Sequence, residues 1–207
     1  MIKEFNNIPV PKSLIIKLKN LGVELREGEV TKATFNVSHI EFLDEIFSAL
    51  KIVKRKGFPI PGIIVPWDVV EKGAAGWHPA NHNRGTLGVG VKGEYKPIYS
   101  GYAVNPSIPG IIFHECGHLY HFTYNKCIFN GYDGYTNKKL ISEQNLNQFD
   151  VTMKDIELNV SSYALENIRE FVAEVFCGVI SGNKYPKNIM KVFHNYAYEN
   201  WNSGYKI

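Results

Sequence analysis

The sequence predicts an α+β fold. Apolar residues recur with a helical period up to about residue 57. Short apolar runs set among glycines and prolines follow, which is β-like. The helical period returns at Ile111 and lasts almost to the C-terminus.

The elements follow in order. A first helix is expected from about Pro11 to Lys19, with Leu14, Ile15 and Leu18 on one face and Asn20-Leu21-Gly22 as its stop. Val23-Glu24-Leu25-Arg26 alternates apolar and polar, as a short strand does. Ser38-His39-Ile40-Glu41 has the form of a capping box. It should open a helix that turns Ile40, Leu43, Ile46, Phe47 and Leu50 inward and stops near Gly57. Its basic end, Lys51, Lys54, Arg55 and Lys56, reads as a solvated helix terminus with cations at the negative pole of the dipole.

Ile63-Ile64-Val65, between prolines, reads as a buried strand. Gly73 to His78 leads into a turn-rich segment, Pro79 to Gly85, and Thr86 to Val91 reads as a second strand. Gly85, Gly88 and Gly90 leave little side chain on one of its faces. Such glycines mark either the close approach of another backbone, or a bulge or edge strand. Ser107 can cap the next helix and Pro109 suits its first turn, and this helix should reach about Tyr124. Residues 125–158 are rich in Asn and Gly at first and weakly helical afterwards. A strong helix is expected after Ser161-Ser162, ending at Ser181-Gly182-Asn183, and a last one from Lys187 to Asn200.

The chain has 207 residues, which suits a single domain over 1–207, with a helical N-terminal part to about 57 and the remainder from about 58 onward. A net charge of +3 without a dense Lys/Arg block argues against nucleic acid as a partner. Three cysteines, Cys116, Cys127 and Cys177, do not form a disulfide framework, so a reduced compartment is the simplest expectation. The N-terminus lacks the charged and apolar regions of a signal peptide. No stretch approaches the roughly 20 apolar residues that span a bilayer. The expectation is a cytoplasmic protein without a membrane partner. Secretion without a cleaved signal, or loss of a signal, would look the same.

The chemistry concentrates in His114-Glu115-Cys116-Gly117-His118. On a helix, positions i and i+4 share a face, so two imidazoles there can hold one metal ion. Glu115 beside the first of them can reach a water on that metal but not the metal itself, the arrangement a zinc peptidase needs. Zinc lowers the pKa of its water to about 7, and a carboxylate can then take a proton as the water attacks a carbonyl. The flanking residues, Ile111-Ile112-Phe113 and Leu119-Tyr120, are apolar, and a buried helix carries His and Glu only where something satisfies them. Cys116 faces away from both histidines and reads as core.

Two histidines need a third ligand. The class with a histidine ten residues after the first is excluded, because position 124 is tyrosine. His121, three residues past His118, is one alternative. The other is the helix after Ser161, where Tyr163, Asn167, Glu170 and Glu174 form one polar stripe among Leu165, Ile168, Phe171, Val172, Val175 and Phe176.

The two segments together, His114-Glu-Cys-Gly-His118 and Tyr163-Ala-Leu-Glu-Asn-Ile-Arg-Glu170-Phe-Val-Ala-Glu174, resemble the catalytic domain of the anthrax lethal factor family, which includes small bacterial Pro-Pro endopeptidases. Ile8-Pro-Val-Pro11, Gly22-Val-Glu24 and Gly73-Ala-Ala-Gly-Trp77-His-Pro79 extend the likeness to about 150 residues, of which the two helical motifs are the specific part. The resemblance implies a zincin-like domain that binds one Zn²⁺ through His114, His118 and Glu170, with Glu115 as general base. It implies that the Tyr163 hydroxyl supports the oxyanion and that Glu174, one turn beyond the ligand, orients a ligand imidazole.

The function expected is hydrolysis of a peptide bond in a protein or peptide. Trp77, Gly88 and Val89 are the expected substrate contacts, the strand from Gly85 to Val91 pairing with an extended substrate through its main chain. A regulatory module with a structural zinc is a rival reading, against which Glu115 and Tyr163 speak. A host-directed toxin or effector using the same chemistry is another. The ligand set would also take Co²⁺ or Mn²⁺.

Overall fold

The computed structural model describes residues 10–26, 37–66, 75–78, 84–89, 103–125 and 146–198. They form an α+β structure of six α-helices, one 3₁₀ turn and a four-stranded sheet. No described helix is long and apolar enough to cross a membrane. The chain divides into two compact units, one within Met1–Pro97 and Ser107–Leu119, the other within Ile98–Pro106 and Tyr120–Ile207. The N-terminal helices and the strands share the first unit.

In the first unit, α1 (Lys12–Leu21) buries Leu14 and Leu18 and leaves Ile16 exposed. It stops at Gly22, whose φ of 79° is the left-handed conformation that costs a glycine little. The Gly22 and Val23 N–H groups then take up the carbonyls of Lys19 and Leu18 that the helix leaves over. β1 (Glu24–Leu25) follows at once. α2 (Val37–Arg55) buries Leu43, Ile46 and Leu50 as expected, and also Phe42, Ala49 and Val53. Phe47 is only half-buried. Ile40 and the Ser38–Glu41 box lie where side chains are outside the described residues. The basic end is solvated, and Lys54 Nζ donates to the Leu21 carbonyl at 2.9 Å, closing the end of α1.

The sheet has the order β1–β2–β4–β3, with β2 at Ile63–Pro66, β3 at Ala75–His78 and β4 at Thr86–Val89. β1, β2 and β4 run parallel, and β3 lies antiparallel to β4. A parallel neighbour requires a crossover, which α2 supplies between β1 and β2. Every residue of β2 and β4 is buried, as strands of a covered parallel sheet are.

One expectation is overturned here. β4 is an interior strand: Gly88 pairs with Val65 on one side and with Gly76 on the other. Both hydrogen-bonding edges of Gly88 and Val89 are taken, so β4 cannot pair with a substrate. The close approach that its glycines signalled is that of β2 and β3.

The helix α3 (Ile108–Tyr124) belongs to the first unit through Leu119 and to the second from Tyr120. Ser107 Oγ accepts the Gly110 N–H at 3.2 Å, which is the N-cap the sequence predicts.

In the second unit, Tyr120 packs against Phe176, Phe193 and Tyr198, and its hydroxyl bonds to that of Tyr198. Burial holds the Tyr120 hydroxyl well above its ordinary pKa. Within the stretch read as weakly helical, α4 (Met153–Asn159) is opened by a reciprocal cap: Thr152 Oγ1 accepts from the Asp155 N–H, and the Asp155 carboxylate accepts from the Thr152 N–H. The Thr152 hydroxyl, and after it the Thr152 N–H, donate to the Asp155 carboxylate and hold that carboxyl below its usual range.

The expected helix after Ser161 is broken. Tyr163–Leu165 form a 3₁₀ turn, and α5 (Ile168–Ser181) starts only beyond Asn167. Asn167 is its N-cap, extended in backbone, and its Oδ1 accepts from the Arg169 and Glu170 N–H groups at 2.9 and 3.1 Å. Further along α5, Gly178 leaves the space that the Tyr185 hydroxyl occupies, and any side chain there would displace that ring. α6 (Lys187–Ala197) turns Ile189, Val192, Phe193 and Tyr196 inward.

His194 of α6 lies against Phe193 and stacks on Tyr198, and its burial holds the imidazole below its usual pKa. The unfolded chain therefore takes up this proton at a higher pH than the folded one. The stability is present above about pH 6.5 and is lost as pH falls from there through the lowered folded value. Thermal unfolding between pH 7 and pH 5 is expected to show a drop in Tm for the wild type and a smaller drop for His194→Gln.

Candidate metal centre

The helix α3 is apolar at its centre: Ile112, Phe113, Cys116 and Leu119 are all buried. Among them His114 and Glu115 are each 8% exposed and His118 is half-buried. Such burial of three polar side chains demands partners. One helical turn brings the two imidazoles together, with Nε2 of His114 3.1 Å from Nε2 of His118. Their rings stand edge to face at an interplanar angle of 89°.

That distance provides a test of fit. Two nitrogens bound to one tetrahedral zinc at about 2.0–2.1 Å each stand roughly 3.3–3.4 Å apart. The observed separation is within a few tenths of an ångström of this. The Glu115 carboxylate belongs to the same group, with the three side chains' ligand atoms all within 4.8 Å of one another. Among the described residues this is the one group of three side chains able to hold a metal. The donor chemistry, two imidazole nitrogens on one face of the helix, suits a borderline divalent cation such as zinc. Cys116 is fully buried, as expected of a core residue, and is not a member of the group. His121 is fully buried as well.

Tyr163, Glu170 and Glu174 lie in the second unit. Tyr163 is half-buried in the 3₁₀ turn, closed by bonds from Leu165 N–H to Ser162 O and from Glu166 N–H to Tyr163 O, each 3.1 Å. Glu170 is half-buried in the first turn of α5, where its backbone N–H is held by Asn167 and the positive end of the helix dipole favours a carboxylate. Glu174 is 1% exposed. Its Oε2 accepts from Ser161 Oγ at 2.8 Å and from the Val104 N–H at 2.7 Å.

The stripe of Tyr163, Asn167, Glu170 and Glu174 is therefore not one face of one helix. Only Glu170 and Glu174 share α5, while Asn167 is spent on the cap and Tyr163 stands on a separate turn. Ser161 was not singled out by its sequence, and only its place before an apolar helix could have drawn notice. Of the expected substrate contacts, Trp77 lies on β3 with its backbone opposite Leu87. Gly88 and Val89 are buried in β4.

No protein-family model matches this chain, and no curated protein matches it.

If the two imidazoles share a metal, removing either should abolish tight binding. Purified His114→Ala and His118→Ala are expected to carry less than about a tenth of the zinc of the wild type, since second-sphere losses alone already cost about 10–100-fold in affinity. Glu115→Ala should retain its zinc. Metal analysis after dialysis against a weak chelator decides this. Full zinc in either histidine variant would refute a shared ion.

Proposed function

We propose that this chain is a zinc-dependent endopeptidase of the lethal-factor-like zincin kind. The observation that carries the reading is the 3.1 Å approach of the two imidazoles with the Glu115 carboxylate beside them on one buried helix. A structural zinc site has no use for that carboxylate.

In this reading His114 and His118 would hold one zinc ion, and the resemblance supplies Glu170 as its third protein ligand. The bound metal would supply Lewis-acid chemistry and make a water acidic near neutral pH. Glu115 takes the proton from the attacking water and passes it to the leaving amine. Its buried, apolar surroundings on α3 strengthen that exchange by excluding competing solvent. The Tyr163 hydroxyl donates to the oxyanion that forms at the scissile carbonyl.

The substrate is a protein or peptide held in extended form. With β4 closed on both sides, the terminal strands of the described sheet are β1 and β3, and the reading places the substrate on β3. β3 is antiparallel to β4 and terminal in the described sheet, and it carries Trp77. Main-chain pairing there would tolerate many sequences, leaving side-chain pockets to set preference.

The test is a mixed peptide library digested by wild type, Glu115→Gln and Tyr163→Phe, with zinc content measured on each. The wild type should cut. Glu115→Gln should hold one zinc and lose at least about 10²–10⁴-fold in kcat, as removal of a general base does. Tyr163→Phe should hold zinc and lose about 10²-fold, the scale of one oxyanion donor. Zinc bound equally by all three with no cleavage by any would replace this reading with a structural metal site.

A further inference from the structure

Glu174 and Ser161 are both buried, at 1% and 2% exposure, and they lie in one chain of hydrogen bonds. The Ala164 N–H donates to Ser161 Oγ at 3.1 Å, and that hydroxyl donates to Glu174 Oε2 at 2.8 Å. A serine hydroxyl has a single proton. Committing it to the carboxylate turns an oxygen lone pair toward Ala164, so the acid sets the direction of the whole chain. An ionised acceptor strengthens each link. The same Oε2 also holds the Val104 N–H, which fixes the carboxylate from a second side.

What this chain restrains is the turn Tyr163–Leu165. That turn is three residues long and closed by two internal bonds of its own. Isolated 3₁₀ turns of this length have poor hydrogen-bond geometry and little intrinsic stability. The bond through Ser161 enters at its second residue, directly beside Tyr163. We propose that Glu174 and Ser161 are positioning residues: the carboxylate, acting through the serine, clamps the turn and so fixes where the Tyr163 hydroxyl points. This rests on the peptidase reading for its purpose, but the clamp itself does not. It also gives Glu174 work that the resemblance alone does not assign it.

The first readout needs no activity. Amide hydrogen exchange is measured residue by residue on the full, metal-free chain. In Ser161→Ala the amides of Ala164 and Glu166 are expected to exchange about tenfold faster or more, while α5 from Phe171 onward keeps its protection. Glu174→Gln retains an acceptor oxygen for both donors, so it should fold as the wild type does and show a smaller change at the same amides. Unchanged exchange at Ala164 and Glu166 in both variants would overturn the clamp. Protection lost evenly along α5 would overturn it too, because that would mark a general packing defect.

The second readout uses whichever peptide the wild type cuts. Ser161→Ala should keep one zinc and a KM within about twofold, and lose about tenfold in kcat. In a Tyr163→Phe background the same change should cost nothing further, since the two act through one group. Additive losses would overturn the positioning role. Absence of cleavage by the wild type would remove the peptidase reading and that role together, while the exchange data would still judge the clamp.

Discussion

Two imidazoles one turn apart on a buried helix form the constraint around which this candidate site is organised. The helix α3 is apolar enough to be buried, and burial makes His114, Glu115 and His118 expensive unless something compensates them. A 3.1 Å contact between two ring nitrogens requires one to donate and the other to accept, or both to face a cation. In the proposed site both would face one divalent ion, with the Glu115 carboxylate beside it.

The second unit has a buried carboxyl group of its own. Glu174 accepts hydrogen bonds from a serine hydroxyl and a backbone N–H. Buried carboxylates so held are costly to disturb on either side, because each donor left behind is orphaned at about 1–3 kcal/mol. Such networks tend to fix one arrangement of the backbone around them. Here that backbone is the turn carrying Tyr163 and the Val104 segment.

Much of this was legible in the sequence, for reasons that differ by element. α1, α2 and α3 announce themselves by period, by Gly22 and Gly57 at their ends, and by Ser107. The His-Glu-x-x-His spacing needs only helical geometry, so the structure brings those three together as read. β1 was legible from alternation, and β2 and β4 from β-branched and glycine patterning, but their pairing was not. Ala75–His78 has one strong strand former, Trp77, and exists as a strand because β4 pairs with it. Pairing is non-local, and without it the interior position of β4 was invisible. The break before α5 was missed because Tyr163 to Phe176 keeps a helical period throughout. Asn167 followed by Glu170 was the available signal, an N-cap residue with an acid three positions later. The Ser161–Glu174 bond spans thirteen positions between side chains on different elements, and no local pattern encodes it.

The buried thiols have a practical consequence. Cys116 lies on α3 beside Glu115, and Cys177 lies on α5 next to Gly178; neither is more than 1% exposed. A buried thiol among apolar neighbours is inert toward alkylating reagents until its surroundings open. One sits in each of the two compact units. Their rates of labelling therefore act as two independent clocks, one timing the opening of the metal-bearing helix and the other the opening of α5. Comparing them would reveal whether the two units unfold together or in turn.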